Sequence, residues 1–372
     1  MRIFKPLIKG IYERTLSTEP WAPPGVSLIG AQRMWPTTKG QNTVVAVVDT
    51  GIDYTHPDLK NNVIGGASFV PGEADFMDQN GHGTHVAGTI AANGAILGVA
   101  PEAKLLGVKV LDQFGTGSLS SIVQGLAWAR KWVGENGEKV NVINMSLGSP
   151  LPNTSLHKEI QKAVQDGITV VCAAGNEGDG NPDTPEISYP AYYKETIAVG
   201  AIDLLTGIAN FSNSNDRIDV VAPGVDTYST YPGGRYVELS GTSMAAPHIS
   251  GAVALLYSRY LLKFSAYPTP EYVRNFLHFQ AIDLGTVGFD NLYGYGMFSF
   301  TIDGAKAITL IVGQKQYYVN NNTFYFNMAP FINEGEIAAS VREICSLLNT
   351  SSVIIPPDGS EENLEGQIKI WY

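Results

Sequence analysis

A chain of 372 residues has room for one large domain and a second, smaller one. Its 44% hydrophobic and 16% charged residues are typical of a soluble globular protein, and a formal net charge of −11 argues against nucleic acid or an anionic membrane as a partner. The two cysteines, Cys172 and Cys345, cannot form a disulfide framework, which fits a reducing compartment. We find no signal peptide and no run long enough for a membrane span. We therefore expect a cytoplasmic protein, with secretion as the alternative.

The central part of the chain alternates predicted strands and helices, whereas residues 1–22 contain no clear periodic element. Continuous apolar runs predict strands over residues 43–49, 104–110, 140–146, 168–174, 196–201 and 218–222. Helical patterns cover residues 82–92, 118–133, 155–166 and 242–261, with Ser118 as a cap of the second and Gly167 ending the third. This alternation implies a mostly parallel sheet covered on both faces, with functional side chains near the carboxyl ends of its strands.

The first block of interest is a run of valines that ends at Asp49 and is followed by the turn residue Gly51. An acid at the end of a buried strand is placed where a functional side chain is expected. Asp53 lies in the same turn and is an alternative acid, but a turn or surface carboxylate is its simpler interpretation.

The second block covers residues 80–89 and reads Asn-Gly-His-Gly-Thr-His-Val-Ala-Gly-Thr. His82, flanked by glycines, opens a helix of small residues. His82 and His85 could together bind a metal, but the Glu that a zinc protease helix carries between its histidines is missing. His85 lies almost one turn further into the helix, and we expect a structural role for it.

The third block covers residues 240–248 and reads Ser-Gly-Thr-Ser-Met-Ala-Ala-Pro-His. It places Ser243 at the start of a helix, where unpaired N–H groups and the positive end of the helix dipole favour an oxyanion. Taken alone, a serine at this place is an N-cap.

The order Asp49, His82, Ser243 resembles the subtilisin-like serine proteases (subtilases), in which this order of catalytic residues is known. The resemblance covers roughly residues 24–302. The block around Cys172 and the sequence Tyr-Pro-Ala at residues 189–191 are similar to the intracellular subtilisins. The resemblance implies a three-layer α/β fold with a mostly parallel central sheet. It also implies a serine endopeptidase that acts on polypeptides through an acyl-enzyme and needs no cofactor for its chemistry; a catalytically silent peptide-binding scaffold is the alternative.

The resemblance also implies a role for each site residue. Ser243 is the nucleophile, His82 the base, Asp49 the acid that orients the imidazole, and Asn176 the side-chain donor to the oxyanion. The edge that pairs with an extended substrate is expected at Ser146, Leu147 and Gly148. The walls of an apolar pocket are expected at Ala173, Ala174 and Gly175. Glu177 is expected near the pocket floor and Leu119 at a more distant subsite. Core packing is the alternative for Leu119.

Calcium is a further expectation from the resemblance, in a structural role. Asp58 matches a carboxylate of the tight calcium site of the family. A weaker cation site resembles the carbonyls of Ala191, Tyr193 and Thr196 together with the carboxylate of Asp219. The segment 91–98 is shorter than in secreted subtilisins, which limits its supply of the six to eight oxygens that calcium prefers.

We divide the chain into an N-terminal extension (1–22), a catalytic domain (23–302) and a small α+β C-terminal domain (303–372). The last one weakly resembles a stalk-like domain related to the amino-terminal domain of copper amine oxidases, with a hairpin over residues 308–320 and a helix over 334–348. It carries no cluster of metal ligands, so we expect no copper.

The N-terminal extension is expected to be inhibitory. Intracellular subtilisins carry a short extension of this kind, which lies across the active site. Here residues 3–7, Ile-Phe-Lys-Pro-Leu, are expected to occupy the cleft with the wrong bond presented, and a disordered tail is the alternative.

Overall fold

The computed structural model describes residues 1–3, 6–12 and 19–300 in full; beyond residue 300 it describes the backbone of six strands, 307–311, 316–319, 322–325, 331–333, 336–338 and 367–371. The chain forms two compact units, Met1–Phe300 and Thr301–Tyr372. This division lies close to the boundary after residue 302 that we expected from the sequence.

The strands of the first unit are, in chain order, β1 (Arg2–Ile3), β2 (Leu7–Tyr12), β3 (Val44–Asp49), β4 (Val63–Ser68), β5 (Lys104–Lys109), β6 (Val142–Met145), β7 (Leu147–Gly148), β8 (Thr169–Ala173), β9 (Ile197–Ile202), β10 (Val220–Pro223), β11 (Thr227–Tyr231), β12 (Arg235–Ser240), β13 (Ala281–Ile282) and β14 (Met297–Phe298). The helices are α1 (Pro24–Leu28), a 3-10 helix (Ala31–Arg33), α2 (His82–Ala91), α3 (Leu119–Lys131), α4 (Thr154–Gln165), α5 (Thr242–Phe264) and α6 (Pro270–Gln280).

A nine-stranded sheet in the order β13-β14-β10-β9-β8-β6-β3-β5-β4 forms the centre of the first unit. All neighbouring strands in it are parallel except β13 and β14. Because side chains alternate along a strand, Val45 and Val47 of β3 pack into the core with α2 and α5, whereas Val44, Ala46 and Val48 pack into the core with α3 and α4. Two helical layers thus enclose the sheet, which confirms the predicted three-layer α/β fold.

Helix α5 runs through the interior of the unit. Its residues are buried without interruption from Thr242 to Ser258, which is typical of a helix that is apolar on all sides. The helix ends at Phe264, and Ser265 follows it in the left-handed conformation with φ of 54°. Its first turn, and therefore Ser243, is held in place by packing along most of the helix.

The predicted core elements match the observed ones within three residues at each end. Ser118 caps α3 as expected, since its hydroxyl accepts a hydrogen bond from the N–H of Ser121 at 2.9 Å. Gly167 follows α4 with φ of +87°, a conformation that ends the helix. The sequence analysis missed elements that lie around this core, among them β4, the hairpin of β11 and β12, helix α6 and strand β2.

The second unit is described by its strands alone: β15 (Ala307–Ile311), β16 (Gln316–Val319), β17 (Asn322–Tyr325), β18 (Phe331–Asn333), β19 (Glu336–Ala338) and β20 (Gln367–Trp371). The predicted hairpin is confirmed by the antiparallel pairing of β15 with β16. The helix predicted over residues 334–348 is wrong at Glu336–Ala338, because these residues pair with β18 and cross-strand pairing outweighs a weak helical pattern. The rest of that range lies outside the described residues, as does Cys345.

None of the helices in the described part of the chain combines the length and the apolar character that crossing a bilayer requires.

Candidate active site

Three of the predicted site residues come from one edge of the central sheet. Asp49 ends β3, Ser146 follows β6 and Asn176 follows β8 by a short loop, and these three strands are neighbours in the sheet. Carboxyl ends of parallel strands meet at the same edge, so the three side chains are gathered there. His82 is the first residue of α2, and Ser243 is the second residue of α5.

Asp49 and His82 form a buried pair. The Nδ1 atom of His82 lies 2.7 Å from Oδ1 of Asp49, and the same oxygen accepts a 2.7 Å hydrogen bond from the N–H of Thr50. His82 is only 2% exposed and Asp49 is fully buried. The carboxylate therefore fixes the tautomer with hydrogen on Nδ1, and Nε2 of His82 has no hydrogen-bond partner among the described residues.

Close backbone packing explains why a glycine follows His82. A Cβ atom on Gly83 would lie 2.1 Å from the carbonyl oxygen of Gly51 and 3.2 Å from Cβ of Asp49. The first turn of α2 can therefore approach the end of β3 only without a side chain at this position, and this approach brings His82 to Asp49.

Asp78 is a site residue that the sequence analysis missed. Its buried carboxylate accepts five hydrogen bonds, from the hydroxyls of Thr50 and Thr84 and from the backbone N–H groups of Asn80, Gly81 and Thr84. Burial raises the pKa of Asp78 above its ordinary value of 3.8. The residue joins the end of β3 to the start of α2 and thus supports the Asp49–His82 geometry.

Ser243 is fully buried, and its hydroxyl donates to the carbonyl oxygen of Ser146 at 3.2 Å. The carbonyl of Ser243 lacks its usual helical partner, because Pro247 has no N–H to offer four residues later. The hydroxyl of Ser146 donates to this carbonyl at 3.0 Å instead. Ser146, expected at the substrate-binding edge, thus also holds the nucleophile segment.

The amide of Asn176 is oriented by Thr242, which the sequence analysis did not single out. Its Oδ1 accepts hydrogen bonds from the N–H of Thr242 at 2.9 Å and from the Thr242 hydroxyl at 2.8 Å. Its Nδ2 lies beside the start of α5, since a Cβ on Gly241 would be 3.0 Å from it. The amide nitrogen of Asn176 therefore lies near the turn at Gly241, two residues before Ser243.

The two alternative residues of the sequence analysis have other partners. Nε2 of His85 lies 2.9 Å from the carbonyl oxygen of Thr227 and 3.2 Å from that of Val237, so its hydrogen is shared by β11 and β12. Burial alone would raise the pKa of Asp53, but the hydrogen bonds that it accepts from Thr55 and from the N–H of Gly233 together lower it. In the described part of the chain, no group of three or more His, Cys, Asp or Glu residues could hold a metal ion.

The residues expected to bind substrate lie on the elements that follow β6 and β8 and, for Leu119, at the start of α3. Leu147 and Gly148 form β7, and Ala173 and Ala174 are 1% exposed at the end of β8. Glu177 turns its carboxylate back to the N–H of Asn176 at 3.0 Å. Gly175 has φ of +120°, and Leu119 is half-buried and packs against the core of α3 and α4.

The first residues of the N-terminal extension lie along this edge. Strand β1 pairs antiparallel with β7, with Arg2 opposite Gly148 and Ile3 opposite Leu147. On its other side, the N–H of Ile3 donates to Gly115 at 3.0 Å and the N–H of Gly117 donates to Met1 at 3.1 Å. The chain therefore occupies the middle position of a three-stranded arrangement, the place expected for an extended substrate.

The extension continues in β2, which lies next to the strand that leads to Ser243. Strand β2 pairs antiparallel with β12, so that Leu7 lies opposite Ser240, three positions before Ser243. Lys9 forms a 2.7 Å ion pair with Asp226. Phe4 and Lys5, which join β1 to Pro6 and β2, lie outside the described residues.

The five residues expected at cation sites lie outside the catalytic cluster: Asp58 in the turn after β3, Ala191, Tyr193 and Thr196 before β9, and Asp219 just before β10. Asp58 and Asp219 are 3% and 4% exposed.

Comparison with known proteins identifies the family of the chain. Residues 40–296 match the family model of the subtilase family, Peptidase_S8. The chain is 51% identical to the intracellular serine protease of Paenibacillus polymyxa, over 63% of this chain and 72% of that protein. It is 51% identical to the major intracellular serine protease of Bacillus subtilis (strain 168), over 63% of this chain and 75% of that protein. It is also 51% identical to subtilisin Savinase of Lederbergia lenta, over 69% of this chain and 89% of that protein.

The chain belongs to the subtilase family. It is a serine endopeptidase, and its substrates are polypeptides.

Two buried histidines predict loss of stability in acid. Burial lowers the pKa of His85 to about 3 and that of His248 to about 4, from an ordinary value of 6.5. The unfolded chain thus binds protons below pH 6.5 that the folded chain does not bind. The two neutral histidines therefore leave the free energy of unfolding unaffected above pH 6.5. As the pH falls from 6.5 toward 4, each of them lowers the free energy of unfolding by roughly 1 kcal/mol per pH unit.

Urea unfolding of inhibitor-blocked protein between pH 8 and pH 4 measures this dependence. The variant His248→Gln cannot titrate, so its free energy of unfolding should fall less steeply with pH. An unchanged slope in this variant would contradict the assignment. The matched control is His157→Gln, since His157 is one-third exposed and pairs with Glu195 on the surface.

Proposed function

We propose that the chain cleaves internal peptide bonds with the triad Asp49, His82 and Ser243 through an acyl-enzyme intermediate. The observation that supports this best is the buried Asp49–His82 pair, which keeps hydrogen on Nδ1 and leaves Nε2 of His82 free to accept a proton. The family of the chain and the position of Ser243 at a helix start agree with it.

In the proposed reaction, the Ser243 hydroxyl leaves its hydrogen bond with Ser146 and attacks the carbonyl carbon of the scissile bond. Its proton passes to Nε2 of His82, and a tetrahedral oxyanion forms. The imidazolium, stabilised by Asp49, then gives the proton to the leaving amine as the C–N bond breaks. A water molecule, deprotonated by His82, attacks the acyl-enzyme, and the proton returns to Ser243 as the acid product is released.

The oxyanion is stabilised in this proposal by Asn176 and by the backbone N–H of Ser243 at the start of α5. Thr242 holds Oδ1 of Asn176, so that Nδ2 donates to the oxyanion without reorienting. Preorganised donors of this kind are effective because they need no rearrangement in the transition state.

Asn176→Asp tests the oxyanion donor. The aspartate keeps an acceptor for both hydrogen bonds from Thr242 but loses the N–H donor and adds a negative charge beside the oxyanion. We expect kcat on small peptide substrates to fall on the order of 10²–10³, the magnitude known for the loss of this donor in subtilisins, while KM changes little. A kcat within a few-fold of the parent would contradict the role.

For the substrate, we propose an extended polypeptide that pairs with Ser146, Leu147 and Gly148. The pocket walls at Ala173, Ala174 and Gly175 are small, so a large apolar residue before the scissile bond fits. Glu177 near the pocket floor admits a basic residue as well, and Leu119 contributes to a more distant subsite.

A fluorophosphonate probe distinguishes an active enzyme from a peptide-binding scaffold. The probe phosphonylates a serine only when a base activates it, so labelling at Ser243 supports the triad. Labelling should be lost in His82→Ala and retained in His85→Ala if the latter folds. A folded, extension-free parent chain that does not react would support the scaffold.

We further propose that residues 1–22 inhibit the enzyme before activation. Strand β1 occupies the substrate edge beside Leu147 and Gly148, and β2 pairs with the strand that leads to Ser243. Ser243 itself is fully buried with the extension in this position.

We also propose a cytoplasmic location. The names of two relatives, which describe intracellular proteases, support it.

A further inference from the structure

Asp219 is a nearly buried carboxylate that the sequence analysis assigned to a cation. Its Oδ1 lies 2.7 Å from Nη1 of Arg274 and 2.8 Å from Nε2 of His278, both on α6. Its Oδ2 accepts a 2.9 Å hydrogen bond from the N–H of Ala198. Hydrogen-bond donors of the protein thus engage both carboxylate oxygens of Asp219, and the Arg274 guanidinium places a positive charge beside them.

The carbonyl oxygens expected beside Asp219 are engaged as well. Nη2 of Arg274 donates to the carbonyl of Thr196 at 2.7 Å and to that of Lys194 at 2.8 Å. The N–H of Thr196 donates to the carbonyl of Tyr193 at 3.1 Å, and the Thr196 hydroxyl lies 3.0 Å from the carbonyl of Ala191. A fixed guanidinium at this place repels a metal cation and takes two of the oxygens that would bind it.

Asp58, the other carboxylate, is engaged by backbone and side-chain donors. The N–H groups of Ala95 and Ile96 donate to its two oxygens at 2.9 and 3.0 Å. The hydroxyl of Tyr236 donates to Oδ2 at 2.8 Å. Three donors converge on this carboxylate. They direct hydrogens toward it, whereas a calcium ion there would need oxygen ligands around it.

The short loop after α2 leaves little space for an ion at Asp58. A Cβ atom on Gly94 would lie 2.0 Å from Oδ1 of Asp58, so the loop backbone packs directly on the carboxylate. The carbonyl of Ala95 accepts a hydrogen bond from the N–H of Trp21, and that of Ile96 accepts one from the N–H of Gly94. The carbonyl oxygens of these two residues thus already accept hydrogen bonds, and the residues present do not fit the six to eight oxygens of a calcium site.

We propose that protein donors replace the structural cations at both positions. The Arg274 guanidinium takes the place of a cation at Asp219. At Asp58, backbone N–H groups of the loop 93–98 take the place of a cation. The fold then needs no calcium at these positions, unlike what the family resemblance implies.

Thermal unfolding of the full chain tests this directly, with Ser243→Ala as background to prevent self-digestion. If the folded chain had a structural calcium site, free calcium at a hundred times the Kd of that site would raise the Tm by roughly 5–10 °C for a domain of this size. We expect the Tm of chelator-treated protein to change by less than about 1 °C on addition of 10 mM calcium chloride. Equilibrium dialysis with radioactive calcium should find no stoichiometric binding. A chelator-dependent fall in Tm that calcium restores, or one bound ion per chain, would overturn the proposal.

Arg274→Gln in the same background tests the substitution at Asp219. It removes the positive charge and the hydrogen bonds that Arg274 donates to Oδ1 of Asp219 and to the carbonyl of Thr196. We expect a lower Tm without added cation and recovery of at least half of the loss in 10 mM calcium chloride. The matched control is Arg130→Gln, which breaks a 2.6 Å ion pair with the half-exposed carboxylate of Asp166; calcium should not restore its Tm. Equal responses of the two variants to calcium would contradict the role of Arg274.

Asp58→Asn tests the second position and remains informative if Arg274→Gln does not fold. The amide offers one acceptor oxygen to three donors, so Tm should fall by the same amount in chelator and in calcium. If the parent instead used calcium at Asp58, the loss would appear only in calcium, and this result would overturn the proposal for that position.

Discussion

Replacement of Ser243 by alanine is expected to abolish peptide hydrolysis while the fold is retained. The substitution removes one hydroxyl, which donates to the carbonyl of Ser146 at 3.2 Å. Alanine is compatible with the first turn of α5. We expect kcat to fall on the order of 10⁶, the magnitude known for the loss of the nucleophile in subtilisins.

Initial rates on a chromogenic peptide and far-ultraviolet circular dichroism measure activity and folding for this variant. The matched control is Ser258→Ala, which removes a buried hydroxyl from the same helix. The Ser258 hydroxyl donates to the carbonyl of Gln41 at 2.7 Å, far along α5 from the catalytic residues, so its loss should lower stability without affecting turnover. Substantial hydrolysis by folded Ser243→Ala would contradict the triad.

The core of the fold could be predicted from the sequence because buried parallel strands consist of continuous apolar runs. Val44–Asp49 and Thr169–Ala173 are strands of this kind, and both were located within a residue or two. The hairpin Thr227–Tyr231 and Arg235–Ser240 was missed because its residues are mixed in polarity and its stability comes from pairing with each other and with Leu7–Tyr12. Local sequence does not show such pairing.

The identities of the proposed catalytic residues could be predicted, but the contacts that orient them could not. Short motifs with a known order indicated Asp49, His82 and Ser243. The contribution of Asp78 depends on a carboxylate that reaches Thr50 across 28 positions in the sequence. The pairing of Asp219 with Arg274 spans 55 positions and connects β10 to a helix that the sequence analysis did not find. Long-range contacts of this kind arise from the packing of elements, which the local pattern does not contain.

Deletion of residues 1–22 is expected to convert a latent chain into an active one. The docking of β1 depends strongly on Ile3, whose side chain is 9% exposed and packs beside Gly115. Burying such a side chain contributes roughly 1.5–3 kcal/mol. If docking leaves about one chain in a hundred open, the initial rate rises about a hundredfold on deletion.

Initial rates must be measured within the first seconds, before self-cleavage removes the extension. The full chain should show a lag that shortens with enzyme concentration if one molecule activates another, whereas the deleted chain should show none. Equal initial rates for the two forms would refute the inhibitory role and support the alternative, a tail that does not inhibit the enzyme.

Two point variants separate docking in the cleft from a general effect of the extension. Ile3→Lys places a charge in the buried position and should raise the initial rate of the full chain by roughly tenfold or more, because most of the apolar contribution to docking is lost. Ile8→Lys makes the same change on β2, where the side chain is 60% exposed, and should leave the chain latent. If both variants remain latent while the deletion is active, the inhibitory contact does not depend on Ile3. If both are equally active, the extension acts through its overall charge. Only activation by Ile3→Lys alone places the inhibitory contact at the substrate edge beside Leu147, where an extended substrate would otherwise bind.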